Sequence, residues 1–186
     1  MINKVAFPPV GILGLGFLGK TLAQECVAIS KSWGTWHKTQ ITETPLPIFL
    51  FDWGNENSWS VLPKTEITLV LTIPPLLKNP DAEAERLHLW GKWMQRNLPK
   101  LNHLIYISTT GVYPKLNGIW SEDSEFEADT NSGKLRLLTE KILSKYFQLQ
   151  IVRPGGIYGL GRGIDSRLKS GKPIPVSNTP VHRIHV

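Results

Sequence analysis

The sequence predicts an α/β fold with a doubly wound parallel sheet in a three-layer αβα arrangement. Two observations carry that prediction. Short apolar runs alternate with helical patterns along most of the chain, as expected of successive strand–helix–strand units. The first run, Val10-Gly11-Ile12-Leu13, passes straight into Gly14-Leu15-Gly16-Phe17-Leu18-Gly19, and apolar residues at helical spacing (Leu18, Leu22, Ala23, Val27) follow at once. With 186 residues, 41% hydrophobic and 19% charged, the chain has the size and balance of one globular domain with a substantial core.

The elements follow in order. Val10–Leu13 is the first strand and 17–29 the first helix. Trp33–Trp36 and 48–51 read as the second and third strands, and 66–72 (E-I-T-L-V-L-T) as a fourth, ended by Pro74-Pro75. Residues 81–97 form a helix, with Asp81 in its first turn and Leu87, Trp90 and Met94 recurring on one face. The fifth strand, 104–107, runs into Ser108-Thr109-Thr110-Gly111. The polar, acidic stretch 114–130 reads as a surface excursion. Residues 134–147 form a helix with Leu135, Leu138, Ile142 and Leu143 facing the core, and Leu149–Val152 is the sixth strand. Beyond Gly159 the chain is rich in Gly, Pro and basic residues, and Ile164–Lys169 is its one helix candidate. The expected division is a dinucleotide-binding domain over 1–160 and the start of a second, substrate-binding region over 161–186.

The glycine segment carries the chemistry. In a strand–turn–helix context Gly14 allows the sharp exit from the strand, Gly16 lets backbone approach a pyrophosphate, and Gly19 lets the helix pack closely on the strand. The helix N-terminus then offers free N–H donors and a positive dipole end to the phosphates. Phe17 and Leu18 lie within the same turn. The reading is a Rossmann-type NAD(P) site.

Composition narrows the alternatives. The net charge of +6 comes from scattered basic residues with no run of four, which suits a phosphate-bearing cofactor and gives no nucleic-acid stripe. No apolar run approaches a membrane span, and the glycine-interrupted N-terminus reads poorly as a signal peptide. One cysteine, Cys26, placed in the first helix pattern, reads as a buried thiol and suits a reducing cytoplasm. His88, His103, His182 and His185 show no metal-ligand spacing with Cys26 or one another, so no metal site is expected. The seven tryptophans are spread out and read as packing residues.

Cofactor choice rests on the end of the second strand. An NAD-preferring site places a carboxylate there, but the sequence is Thr35-Trp36-His37-Lys38-Thr39, with no acid before Glu43. His37 and Lys38 can hold a 2′-phosphate by charge-assisted hydrogen bonds, so NADP is expected over NAD. The alternative is a solvated loop.

The chain resembles the extended short-chain dehydrogenase/reductase superfamily, the NAD(P)-dependent epimerases and dehydratases, and most of all its atypical branch with G-L-G-x-L-G near the N-terminus. The resemblance covers Gly14–Gly19, Ile73-Pro74-Pro75, Tyr106-Ile107-Ser108-Thr109-Thr110-Gly111-Val112-Tyr113, Arg153-Pro154-Gly155-Gly156-Ile157-Tyr158-Gly159 and Arg183-Ile184-His185-Val186. It implies hydride transfer at a carbonyl or carbinol of a small molecule, such as a sugar nucleotide, and by analogy a homodimer. Thr109 matches the residue that hydrogen-bonds the substrate oxygen; alternatively Ser108, Thr109 and Thr110 satisfy turn backbone. Asp52 matches the position contacting the adenine amino group, or else caps a turn. Pro74 lies where the fourth strand runs alongside the cofactor, and Gly156 near the nicotinamide. Tyr113 is implied to pack beside the active site.

Two departures qualify the resemblance. The family's Tyr-x-x-x-Lys pair falls on Ser132 and Arg136, and a serine hydroxyl is too weak an acid to replace tyrosine. Arg136 keeps the charge that could hold a ribose or stabilise developing charge. Family sequences also continue beyond R-I-H-V, whereas this one stops at Val186. The rival expectation is therefore a non-catalytic NADP-binding module, acting as a redox sensor or partner-binding subunit.

Overall fold

The computed structural model describes residues 8–38, 41, 43–65, 67–115, 119–171 and 182–186. Six parallel strands form one sheet: β1 Val10–Leu13, β2 Trp33–Trp36, β3 Ile48–Leu50, β4 Ile67–Leu71, β5 Leu101–Ile107 and β6 Leu149–Val152, in the order β3-β2-β1-β4-β5-β6. That order reverses between β1 and β4, so the chain leaves these two strands in opposite directions and opens a crevice at their carboxyl ends. Glu66 and Thr39, which the sequence reading placed at strand ends, lie outside the described residues.

Alternation along β1 separates two cores. Leu13 joins the larger, with Ile67, Leu69 and Leu71 of β4 and with Leu87, Trp90 and Met94 of α2 (Pro80–Asn97), all three fully buried as their spacing predicts. Helix α3 (Asn131–Leu143) adds Ile142 and Leu143 to this face. Ile12 belongs to the opposite face, with Leu15, Leu46 and Ala23 and Cys26 of the first helical segment. The three layers expected from the sequence are therefore present.

Caps explain where the helices start. Asn79 Oδ1 accepts from Ala82 N (3.0 Å) with Pro80 at the first helical position, and Thr130 Oγ1 accepts from Gly133 N (3.0 Å). Helix α1 (Phe17–Glu25) differs: its cap is Gly16, which has no side chain to offer, and its first turn holds no acid.

Several details depart from the sequence-based expectation. Helix α1 gives way to a 3-10 turn over Cys26–Ala28, and the tighter winding carries Val27 off the apolar stripe, leaving it 53% exposed. A 3-10 turn over Glu56–Val61, capped by Asn55, precedes β4. Strands β7 (Gly156–Tyr158) and β8 (Arg183–His185) pair in parallel as a separate two-stranded sheet, and α4 (Ile164–Lys169) forms where expected. The excursion after β5 is not wholly superficial: Phe126 packs on both Tyr113 and Trp120, and Ala128 is buried.

Candidate dinucleotide site

The turn after β1 is built by its glycines and by two threonines. Gly14 sits at φ +100°, a conformation that other residues rarely adopt, and a Cβ there would meet Thr72 Oγ1 at 2.7 Å. Gly19 faces the same turn from the helix, where a Cβ would collide with the Gly14 carbonyl oxygen. Thr35, buried at the end of β2, accepts from Gly14 N (2.9 Å) through its hydroxyl and from Leu15 N (2.8 Å) through its carbonyl. Thr72, just past β4, donates to Gly14 O (2.6 Å). Gly16 is different: a Cβ there meets nothing within 4 Å. Its openness is the property that close approach of a ligand requires.

Around this turn lies a cavity of about 900 Å³, at the carboxyl ends of β1 to β4. Its lining includes Gly14, Gly16, Phe17, His37, Lys38, Asp52 and Pro74, seven of the ten residues expected to hold a cofactor. Leu18 and Gly19 sit behind it in α1, so Gly19 shapes the turn without touching the space. Gly156 lies apart, in β7, where its N–H donates to His182 O (2.8 Å). Lys20, Trp53 and Leu76 also line the cavity and were missed in the sequence. Lys20 could have been found, because four residues past Gly16 places it on the turn of α1 that borders the cavity.

The electrostatics favour an anion. Lys20, His37 and Lys38 border the cavity against one carboxylate, Asp52, and the uncapped N-terminus of α1 adds its free N–H groups. Asp52 has two engagements. Its Oδ1 accepts from Gly54 N (2.9 Å) in a local turn, and its Oδ2 lies 3.4 Å from His37 Nε2.

The second cluster of expected residues stands at the ends of β5 and α3. Thr109 Oγ1 accepts from Gly111 N (3.1 Å), capping the 3-10 turn Thr110–Val112, while the buried Ser108 hydroxyl has no hydrogen-bond partner among the described residues. Ser132 is exposed on the first turn of α3. Arg136 donates through Nη1 to the Tyr106 hydroxyl (3.0 Å) and to Ile107 O (2.9 Å), tying α3 to β5. Burial raises the pKa of the Tyr106 phenol, and the Arg136 charge beside it partly opposes the shift. Tyr113 packs against Phe126 and accepts from Arg153 Nη1 (3.1 Å), in keeping with a packing role. Among the described residues no group of three or more His, Cys, Asp and Glu could hold a metal ion, and no helix is long and apolar enough to cross a membrane.

A doubly wound sheet with a glycine turn and an uncapped helix N-terminus at its switch point defines a Rossmann-type fold. Solved structures bear out the more specific resemblance to the NAD-dependent epimerase/dehydratase family. A candidate NAD-dependent epimerase/dehydratase from Methylobacillus flagellatus is similar over 96% of this chain and 65% of its own, with a TM-score of 0.76 and 26% identity. UDP-glucuronic acid 4-epimerase from Bacillus cereus, solved with NAD, shares the fold over 90% of this chain and 66% of its own (TM-score 0.68, 17% identity). MoeE5, solved with UDP-glucose and NAD, shares it over 95% and 67% (TM-score 0.72, 18% identity). Among curated proteins, the chloroplast stem-loop binding protein of 41 kDa b from Arabidopsis thaliana is 38% identical over 93 residues, 45% of this chain and 24% of that one. No protein-family model matches. The chain thus spans just under two thirds of the Methylobacillus structure and a quarter of the Arabidopsis relative.

Proposed function

We propose that this chain binds NADP, in preference to NAD, as the cofactor part of an oxidoreductase or epimerase-like protein of the atypical short-chain dehydrogenase/reductase group, acting on a small carbonyl compound or sugar nucleotide. The observation that carries the reading is the cavity itself: an uncapped helix N-terminus, an open Gly16, and three bases around one acid. The solved neighbours with NAD support a nicotinamide dinucleotide, and the UDP-glucose complex supports the substrate class. The preference for the 2′-phosphate rests on His37 and Lys38. Asp52 opposes it in part, since its carboxylate stands beside His37.

When bound, the nicotinamide supplies hydride transfer. Thr109 Oγ accepts a backbone hydrogen bond, so its own proton is free to be donated to a substrate oxygen. Arg136 provides fixed positive charge behind the same strand end. Neither group replaces the proton that a tyrosine at position 132 would exchange.

That gap favours a second reading, a non-catalytic NADP-binding module serving as a redox sensor or partner-binding subunit. Its specific support is Arg136, whose Nη1 is committed to Tyr106 and Ile107. The Arabidopsis relative, named for stem-loop binding, is a protein whose name describes binding and no reaction.

Calorimetric titration with NADPH and NADH tests the main reading. Tighter NADPH binding is expected; tighter NADH binding would overturn the preference, and binding of neither would overturn the site. The double substitution Ser132→Tyr with Arg136→Lys, assayed on a carbonyl panel with NADPH, separates the two readings. Gained reductase activity is expected if the dyad is the missing part, and none if the chain is a binding module.

A further inference from the structure

Two lips of the cavity are held by a helix that contributes no lining residue. Trp53, after β3, forms one lip, and Pro74 and Leu76, after β4, form the other. Both are tied to α2 through Glu83 and Arg86. The Glu83 carboxylate, fully buried, accepts from Leu76 N (3.2 Å) and Leu77 N (3.1 Å), and also from Arg86 Nε (3.0 Å). The Arg86 guanidinium lies 4.1 Å from the centre of the Trp53 ring, and its Nη1 reaches the Trp53 carbonyl (3.5 Å).

The chemistry of this arrangement is specific. Beyond β4 the chain runs irregularly to Asn79, and Pro74 and Pro75 have no N–H to anchor it. The amides of Leu76 and Leu77 are anchored instead by the two oxygens of one carboxylate. A buried carboxylate is tolerable because these donors and the guanidinium surround it. The guanidinium spends its remaining face on Trp53. One ion pair therefore fixes the gap between Trp53 and Leu76.

We propose that Glu83 and Arg86 are positioning residues that set the width of the slot receiving the adenosine end of the dinucleotide. The proposal rests on the reading of this cavity as a nucleotide site. Asp52, the expected adenine contact, immediately precedes Trp53, so the braced lip is the one that carries it.

The test is calorimetric titration of the chain and of Glu83→Gln with NADPH and with adenosine 2′,5′-bisphosphate, which carries the adenosine half alone. The amide has one accepting oxygen, and its NH2 cannot accept from the second backbone N–H, so both ligands are expected to bind about tenfold more weakly. Arg86→Lys, which keeps the charge but loses the planar fork, is expected to weaken both in the same direction and stands in if Glu83→Gln fails to fold. Glu140→Gln, in a partly buried ion pair outside the cavity lining, is the control for general destabilisation and is expected to lower Tm with Kd unchanged. Unchanged affinity in a folded Glu83→Gln or Arg86→Lys protein would overturn the proposal, as would loss for NADPH alone. Equal loss of affinity in Glu140→Gln would also overturn it. Failure of the unmutated chain to bind NADPH would instead overturn the nucleotide reading beneath it.

Discussion

Gly14, Gly16 and Gly19 share one motif but meet different constraints. Gly14 and Gly19 are required by the fold: one has a positive φ, and a side chain on the other would strike the Gly14 carbonyl. Gly19→Ala is therefore expected to destabilise the chain by about 1–3 kcal/mol in urea unfolding, with cofactor binding lost alongside. His37 and Lys38 face the cavity, and Lys38→Ala is expected to weaken NADPH by about tenfold while leaving NADH nearly unchanged, which parallel titrations would read. Asp52→Asn removes the carboxylate 3.4 Å from His37 and is expected to shift selectivity further towards NADPH. Tyr106 gives a pH prediction. Its folded pKa is raised above that of an unfolded tyrosine, about 10, so its contribution to stability is complete below that pH and is lost as pH climbs beyond it. Tyr106→Phe should flatten the alkaline limb of a stability–pH curve measured by denaturant unfolding; an unchanged limb would contradict the assignment.

At the scale of elements, α3 is held to the sheet by polar anchors as well as by Leu135, Ile142 and Leu143. Glu140, buried in α3, pairs with Arg153 just beyond β6 through two hydrogen bonds, and the guanidinium also lies over Tyr113 and Phe126. The carboxylate raises the pKa of Arg153 and holds it charged. Glu140→Gln leaves the partly buried Arg153 without its counter-charge and is expected to cost about 1–3 kcal/mol in denaturant unfolding. These pairs also mark what a sequence can and cannot reveal. The six sheet strands and the helices α1 to α3 were legible because each is long or apolar enough to show its own period. Strands β7 (G-I-Y) and β8 (R-I-H) were not, because neither carries a wholly apolar run of the kind that marks the equally short β3 (I-F-L). Glu83 and Arg86 look like any surface i, i+3 pair on a helix. Their role comes from Trp53 and Leu76, which only the folded chain brings to them.

On the whole molecule, the site falls where the strand order reverses, and the residues that are legible there are those on strand ends. Gly14, Gly16, Phe17, His37, Lys38, Asp52 and Pro74 each lie within four residues of a strand's end, so locating the strands located them. The bracing by Glu83 and Arg86 comes from α2 and left no local pattern. The six-stranded sheet and the similarity to epimerase/dehydratase structures agree on the fold, and the chain spans 65% of the Methylobacillus structure. The central claim is that this fold holds a dinucleotide against the Gly16 backbone. Gly16 has an ordinary φ of −74° and open space at its Cβ position, so a side chain there disturbs ligand approach and not the fold. The direct test is Gly16→Asp, with Tm and the NADPH dissociation constant measured on the same preparation. Unchanged Tm with binding abolished is the predicted result. NADPH bound as tightly as by the unmutated chain would contradict the account.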